Sequence, residues 1–137
     1  MAMVQIDHER LSEIARQYDL DLIVLFGSHA KGRARPDSDV DLAVRAIKRP
    51  WGDWQWELDV EAALAKAVKT EGGDVEVAFL NGAPSLLMFE VACSGQALYE
   101  KDTGVFSDFK SYAARRYYDD EPRFRRQADY LRKALSS

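Results

Sequence analysis

Several kinds of residue are scarce in this sequence, and each shortage excludes a class of protein. Cys93 is the only cysteine among 137 residues, which excludes a disulfide framework and a cysteine-rich zinc site. No apolar run approaches the roughly 20 residues of a membrane-spanning helix, and the polar N-terminus does not resemble a signal peptide. We therefore expect a soluble protein of the reducing cytoplasm, with no membrane partner.

Positive charge is also in short supply. Lys and Arg number 19 against 23 Asp and Glu, which gives a formal net charge of −4. A domain that binds nucleic acid through its phosphates is normally basic, so nucleic acid is not the expected partner. Residues 1–104 carry 11 basic against 18 acidic side chains, whereas residues 105–137 carry 8 against 5. The chain thus combines an acidic body with a mildly basic tail.

The composition predicts one globular domain, because hydrophobic residues make up 47% of a chain of this length. Short apolar or alternating runs predict strands at 22–26, 39–44, 74–79 and 97–99, with helices between them. A short helix is also possible after Ser28, and Pro122 is expected to divide the tail into two helical segments. The pattern predicts a mixed α/β (α+β) domain over 1–137, with its core at about 8–100 and a C-terminal helical extension at about 103–135.

Two aspartates lie two positions apart on one predicted strand. Asp39 and Asp41 should therefore leave the same face, with Cα atoms roughly 6–7 Å apart. Carboxylates this close repel one another unless a cation lies between them. Mg²⁺ suits such oxygen ligands and completes its shell with water and phosphate. The alternative is an ordinary solvated strand face.

A glycine and a serine follow the apolar run that ends at Phe26. Gly27 has no Cβ and Ser28 is a natural N-cap, so free N–H groups at a helix start would hold a phosphate here. Lys31, one turn further on, would add a positive charge. An ordinary turn is the alternative. A phosphate cradle beside an aspartate pair indicates a nucleoside triphosphate and phosphoryl or nucleotidyl transfer assisted by two metal ions.

The spacing of these residues resembles a known family. Gly27-Ser28, ten intervening residues and Asp39-Val40-Asp41 resemble the signature of the polymerase-beta-type nucleotidyltransferases. The fuller string is similar to the minimal nucleotidyltransferase branch, which includes antitoxins paired with HEPN-domain toxins. Its further matching residues are Ala30, Gly32, Arg35-Pro36, Ser38, Leu80-Asn81, Pro84 and Leu98-Tyr99-Glu100, so the resemblance spans roughly residues 10–135.

This resemblance implies a fold and a site. The fold would be a mixed β-sheet flanked by helices, with further helices at the C-terminus. Asp39, Asp41 and Glu76 would be the catalytic carboxylates and would bind two Mg²⁺ ions, although the third position usually holds Asp in the family. Asp74, on the same predicted strand face, is a reserve candidate for that position. The residues that would bind the ATP substrate are Gly27, Ser28, Lys31 and Ser38.

The resemblance also implies an activity, the transfer of AMP from ATP to a protein hydroxyl. The expected acceptor is a tyrosine of a cognate HEPN-domain toxin, bound in a heteromeric complex, which would make the chain an antitoxin. Two alternatives stay open. The longer Glu76 side chain would leave a catalytically weak module that neutralises its toxin by binding alone. Otherwise the acceptor would be a small hydroxylated molecule such as an antibiotic, for which 137 residues offer little room.

Other residues carry weaker signals. His29 is interpreted as a surface residue near the nucleotide rather than a general base. Arg33 and Arg35 would either meet phosphate or be solvated. The basic, aromatic tail is interpreted as a docking or intramolecular surface, and Cys93 as a buried small hydrophobe. All three tryptophans fall within six residues, where they would pack on the sheet or form a partner surface: Trp51, Trp54 and Trp56.

Overall fold

The computed structural model describes residues 4–35, 37–48 and 53–136, and the fold within them is mixed α/β, as the sequence predicted. The strands are β1 (Val4–Ile6), β2 (Leu20–Phe26), β3 (Val40–Ala46), β4 (Val68–Thr70), β5 (Val75–Phe79) and β6 (Gln96–Glu100). The helices are α1 (His8–Gln17), α2 (Trp54–Ala67), α3 (Ser85–Ser94) and α4 (Val105–Ser136). Among the described residues, no helix is both long and apolar enough to cross a membrane.

Four strands form the central sheet in the order β5-β3-β2-β6. β2 is antiparallel to both of its neighbours, whereas β3 and β5 are parallel, so the sheet is mixed. Asn81 fixes the end of β3, because its side chain accepts a hydrogen bond from Ala46 N at 2.8 Å and donates one to Ala46 O at 2.9 Å. β1 and β4 pair separately. That small sheet was not predicted, since three-residue strands are too short for a periodic signal.

The central sheet separates two hydrophobic clusters. The first includes Leu11 of α1 and Leu64 of α2, and the second includes Val91 of α3 and Phe109 of α4. Side chains of β3 alternate between them, since Val40, Leu42 and Val44 join the first cluster and Ala43 joins the second. Because side chains alternate along a strand, Asp41 lies on the face that α3 and α4 cover.

The C-terminal tail forms one helix, and the prediction of two helical segments was wrong. α4 continues through Pro122 for 32 residues in total. A proline inside a helix forfeits the hydrogen bond to the residue four positions earlier, which is Tyr118. Tyr118 is 66% exposed, so water can satisfy its carbonyl group. An ion pair spans the proline, since Arg125 Nη2 lies 2.6 Å from Glu121 Oε1, and it supports the helix locally.

The tryptophans and the cysteine occupy different environments from one another. Trp56 is half-buried and packs against Phe79 with ring centroids 5.6 Å apart, whereas Trp54 is 68% exposed. Trp51 lies outside the described residues. Cys93 is exposed, so its interpretation as a buried residue was wrong. Apolar residues fill most positions of α3, and such a segment does not reveal which side faces the core.

Candidate active site

Three parts of the chain meet at one corner of the central sheet. β2 ends at Phe26, whose register partner on β3 is Asp41. Asp41 is in turn the register partner of Glu76 on β5. The pairing of these three strands therefore places Gly27, Asp41 and Glu76 side by side, although 49 positions separate the first from the last.

Gly27 is held by its backbone conformation and by contact with Asp41. Its φ is +77°, in the left-handed region that glycine occupies without strain, and a Cβ at this position would overlap the Asp41 carboxylate. Turns follow instead of the expected short helix, with Lys31 N donating to Gly27 O at 3.1 Å and Arg33 N to Ser28 O at 2.9 Å. Among the described residues, none accepts a hydrogen bond from the N–H groups of residues 28–30. These donors are free to meet an anion.

The loop between the glycine and the aspartates is tied at three points. His29 Nε2 donates to Ser38 O at 3.0 Å, and Arg35 N donates to Ser38 Oγ at 2.8 Å. Gln96 Nε2, on the edge strand β6, donates to Ala30 O at 3.1 Å. A carbonyl oxygen only accepts, so the Nε2 atom of His29 is the donor in this bond and helps to hold the loop.

The remaining loop residues point largely to solvent. Lys31, Arg33 and Arg35 are exposed, and Ser38 is partly buried. The Ser38 hydroxyl accepts from Arg35 N, which leaves the hydroxyl proton for one further acceptor. Pro36, part of the family-like string, lies outside the described residues.

Asp41 lies among several other carboxylates. Burial is the largest cause of its raised pKa, followed by the charge of Glu76, a hydrogen bond with the Glu76 side chain, and the charges of Asp39 and Glu90. Asp41 and Glu76 are register partners on neighbouring strands, so their ionised forms are unfavourable together unless a cation compensates them.

Asp39 lies just before β3 and is exposed. Its Oδ1 atom accepts a hydrogen bond from the backbone N–H of Asp74 at 2.9 Å, whereas Asp41 is the register partner of Glu76. Asp74 itself is exposed. Within the described part of the chain, no three Asp, Glu, His or Cys side chains form a group ready to hold a metal ion. The carboxylates are neighbours, but they are not arranged as a finished set of ligands.

Sequence reasoning missed two residues at this corner, Glu90 and Gln96. Glu90 acts on Asp41 through its charge, and Gln96 anchors the loop. One signal was available for the first, because Glu90 is the only charged residue in α3. Gln96 carried no such signal, since only the pairing of β6 with β2 brings it near the loop.

The matched family decides what kind of site this is. A model described as polymerase beta nucleotidyltransferase matches residues 9–104, a range that contains Gly27, Asp39, Asp41 and Glu76. The chain belongs to the polymerase beta nucleotidyltransferase family. The match contains the whole central sheet of this nucleotidyltransferase and ends just before α4.

Individual proteins that are similar to this nucleotidyltransferase support the same family assignment. It is 30% identical over 109 residues to the protein adenylyltransferase MntA of Shewanella oneidensis, which covers 77% of this chain and 75% of that protein. Its fold is similar to that of a toxin–antitoxin crystal structure with AMP-PNP, with a TM-score of 0.71 at 22% identity over 92% of this chain and 98% of that one. A structure of tri-AMPylated Shewanella oneidensis HEPN toxin in complex with MNT antitoxin gives a TM-score of 0.69 at 22% identity, over 91% of this chain and 95% of that one.

Proposed function

We propose that this nucleotidyltransferase transfers AMP from ATP to a protein hydroxyl, that the acceptor is a tyrosine of a HEPN-domain toxin, and that the chain acts as the antitoxin. The contact between Gly27 and Asp41 carries the proposal, because it puts free N–H donors beside a group of carboxylates. The adenylyltransferase MntA, 30% identical to this chain, supports the reaction. The fold shared with a complex that contains an AMPylated HEPN toxin supports the partner.

The carboxylates fit Mg²⁺, and Asp39, Asp41 and Glu76 would hold it. All of them offer the hard oxygen atoms that Mg²⁺ prefers. Burial and then the charges of neighbouring carboxylates raise the pKa of Asp41, and a divalent cation relieves the repulsion among those carboxylates. When bound, Mg²⁺ offsets the charge of the triphosphate and lowers the pKa of the acceptor hydroxyl.

Backbone groups of the chain would hold the nucleotide. Because Gly27 has no Cβ, the turn can lie against Asp41, and the N–H groups of residues 28–30 would donate to the triphosphate. Lys31 would add a positive charge from the exposed side of the turn. The bond from His29 to Ser38 ties this phosphate cradle to the segment that carries Asp39, so the two halves of the site keep a fixed separation.

The acceptor would reach the site from solvent. Asp39 and Glu76 are both exposed, so a tyrosine on the surface of a partner protein can approach the carboxylates. The binding-only alternative assumed that Glu76 fails to complete the site. The register of β3 and β5 argues against it, since it places Glu76 directly beside Asp41. We keep the cytoplasm as the expected compartment on the strength of the cysteine usage.

The proposal is tested by weighing a purified HEPN-domain toxin after incubation with this chain, Mg²⁺ and ATP labelled at the α-phosphate. We expect the toxin to gain one or more AMP units and to carry the label on tyrosine. Asp39→Asn combined with Asp41→Asn should reduce the transfer at least about 100-fold, because the remaining side chains cannot hold the metal. The matched control is Asp19→Asn combined with Asp59→Asn, which removes two exposed carboxylates away from this corner and should leave the rate unchanged.

Each result that contradicts the proposal would support a different alternative. Neutralisation of the toxin without any gain in mass, unaffected by the Asp39 and Asp41 substitutions, would establish the binding-only function. Transfer of AMP to an aminoglycoside but not to the toxin would establish a small-molecule acceptor. Equal loss in the control variant would show that the carboxylates act only through the net charge.

A further inference from the structure

The segment that leads into β5 lies unusually close to the segment that leads into β3. Asp74 N donates to Asp39 Oδ1 at 2.9 Å, and Asp74 O accepts from Val40 N at 2.8 Å. One residue earlier, a Cβ on Gly73 would overlap the carbonyl oxygen of Ser38 and would lie 2.9 Å from Asp39 N. Glycine is therefore the only residue that permits this approach without a shift of the backbone.

These contacts hold Asp39 from its backbone as well as from its side chain. The carbonyl of Asp74 fixes the peptide that joins Asp39 to Val40, while the N–H of Asp74 occupies one of the two oxygens of the Asp39 carboxylate. Within the described part of the chain, no group donates a hydrogen bond to the other oxygen, Oδ2. A carboxylate with one oxygen bonded to a backbone N–H has fewer orientations to lose when it binds an ion.

We infer that the Gly73-Asp74 backbone positions Asp39, leaving Oδ2 as the oxygen that the carboxylate offers to the divalent cation. The inference rests on the proposed function, because it assumes that Asp39 is a metal ligand. Gly73 and Asp74 are positioning residues, and the Asp74 side chain has no part in the role. The predicted reserve role of Asp74 as a third carboxylate is replaced by a role for its peptide group.

Two substitutions at the same position separate the peptide group from the side chain. Asp74→Ala removes the carboxylate and keeps the N–H, whereas Asp74→Pro removes the N–H donor. Binding of Mn²⁺, measured by electron paramagnetic resonance in the presence of ATP, should change less than about 2-fold in the alanine variant. In the proline variant it should weaken about 10-fold or more, the usual scale for loss of a group that orients a ligand.

A purely structural defect is distinguished by rescue. If Asp74→Pro acts through metal affinity, AMP transfer should recover at high Mg²⁺ concentration, with a maximal rate within about 3-fold of the wild type. A misfolded variant would not recover. Equal Mn²⁺ affinity in folded Asp74→Pro and in the wild type would overturn the inference. Weakening by Asp74→Ala to the same extent would overturn it as well, in favour of a ligand role for the Asp74 side chain.

A measurement on the wild type covers the case in which Asp74→Pro does not fold. The amide proton of Asp74 should resonate downfield in the nuclear magnetic resonance spectrum, move upfield in Asp39→Ala, and stay downfield when Mg²⁺ and ATP are added. An upfield shift on addition of Mg²⁺ and ATP would show that Asp39 leaves the N–H on binding, and would refute the inference. If the wild type binds no Mn²⁺ even with ATP, the proposed function fails instead.

Discussion

Two regions of the molecule are stabilised in opposite ways. One is the corner of the sheet that carries the carboxylates, and the other is the outer half of α4, residues 125–136. At the corner, Asp41 of β3, Glu76 of β5 and Gly27 just after β2 are held by strand pairing and close contact. In the outer half of α4, every side chain that the structure describes is exposed, including Leu135 at 86%. The ion pairs of Arg125 and Arg132 join residues three or four positions apart on the same helix.

This difference predicts which substitutions should lower stability or activity most. The first half of α4 is part of the body, since Phe109 and Ala113 are buried and Tyr117 stacks on Phe89 with ring centroids 3.9 Å apart. Beyond Phe124 the helix depends on local pairs, each worth a few tenths of a kcal/mol, roughly 0.2–0.5. The corner depends on contacts between residues far apart in sequence, where one added atom displaces a neighbour.

The largest effect is expected at Gly27. In Gly27→Ala the new methyl group overlaps the Asp41 carboxylate and the residue keeps an unfavourable positive φ. We expect AMP transfer to fall at least about 100-fold, because both the cradle and a metal ligand are displaced. The free energy of unfolding should fall by about 1–3 kcal/mol, measured by urea denaturation.

Gly82→Ala is the matched control for that substitution. Gly82 has a φ of +75°, nearly equal to the +77° of Gly27, but a Cβ there would meet nothing within 4 Å. It should cost a similar amount of backbone strain and leave the transfer rate close to that of the wild type. If both variants lose activity equally, backbone strain rather than contact with Asp41 explains the requirement for glycine.

A smaller effect is expected from the charge on Asp41. The pKa of Asp41 in the folded protein lies above the ordinary value of 3.8. The stabilisation that the protonated Asp41 carboxyl group contributes is therefore complete below pH 3.8 and is lost as the pH rises through the raised pKa. At neutral pH, ionised Asp41 therefore destabilises the metal-free fold. Asp41→Asn should raise the melting temperature at neutral pH, and the gain should shrink towards pH 3.8, as measured by calorimetry.

Asp59→Asn, on the exposed face of α2, serves as the control and should leave the melting temperature nearly unchanged over the same range. A lower melting temperature for Asp41→Asn at neutral pH would contradict the account of Asp41 as a destabilising charge. It would show that the carboxylate makes favourable contacts that outweigh the repulsion from its neighbours.

The smallest effect is expected in the outer half of α4. Arg125→Ala breaks the pair with Glu121 and should cost only about 0.3–0.5 kcal/mol of unfolding free energy. The comparison variant Arg45→Ala breaks a two-point contact between β3 and β2, in which Arg45 bonds both oxygens of Asp21 at 3.1 and 3.0 Å. That pair is partly buried, and its loss should lower the free energy of unfolding by about 1–3 kcal/mol. Equal costs in denaturation experiments would remove the distinction between the two regions.

The sequence was sufficient wherever the signal was local. The apolar run before Gly27 and the alternation around Asp41 predicted β2 and β3. The alternation around Glu76 correctly predicted that its side chain lies on the same face of the sheet as Asp41. Pro122 misled the prediction, because an exposed helix loses little when water replaces one missing hydrogen bond.

Other features were beyond the reach of any sequence pattern. The role of Gly73 depends on how closely two segments approach, and the sequence shows only two adjacent glycines before an alternating run. Glu90 and Gln96 come near the site because α3 packs on one face of the sheet and β6 pairs with β2 at its edge. Neither contact leaves a periodic trace in the chain.

The sequence by itself determined the kind of chemistry this nucleotidyltransferase supports, because the spacing from Gly27-Ser28 to Asp39 and Asp41 fixes which groups a pair of adjacent strands presents. Only the tertiary structure decided how those groups are held. It paired Asp41 with Glu76 and brought a backbone N–H to Asp39. The physical reason is that a carboxylate's charge state and orientation depend on its neighbours in space, and those neighbours lie 35 residues away along the chain.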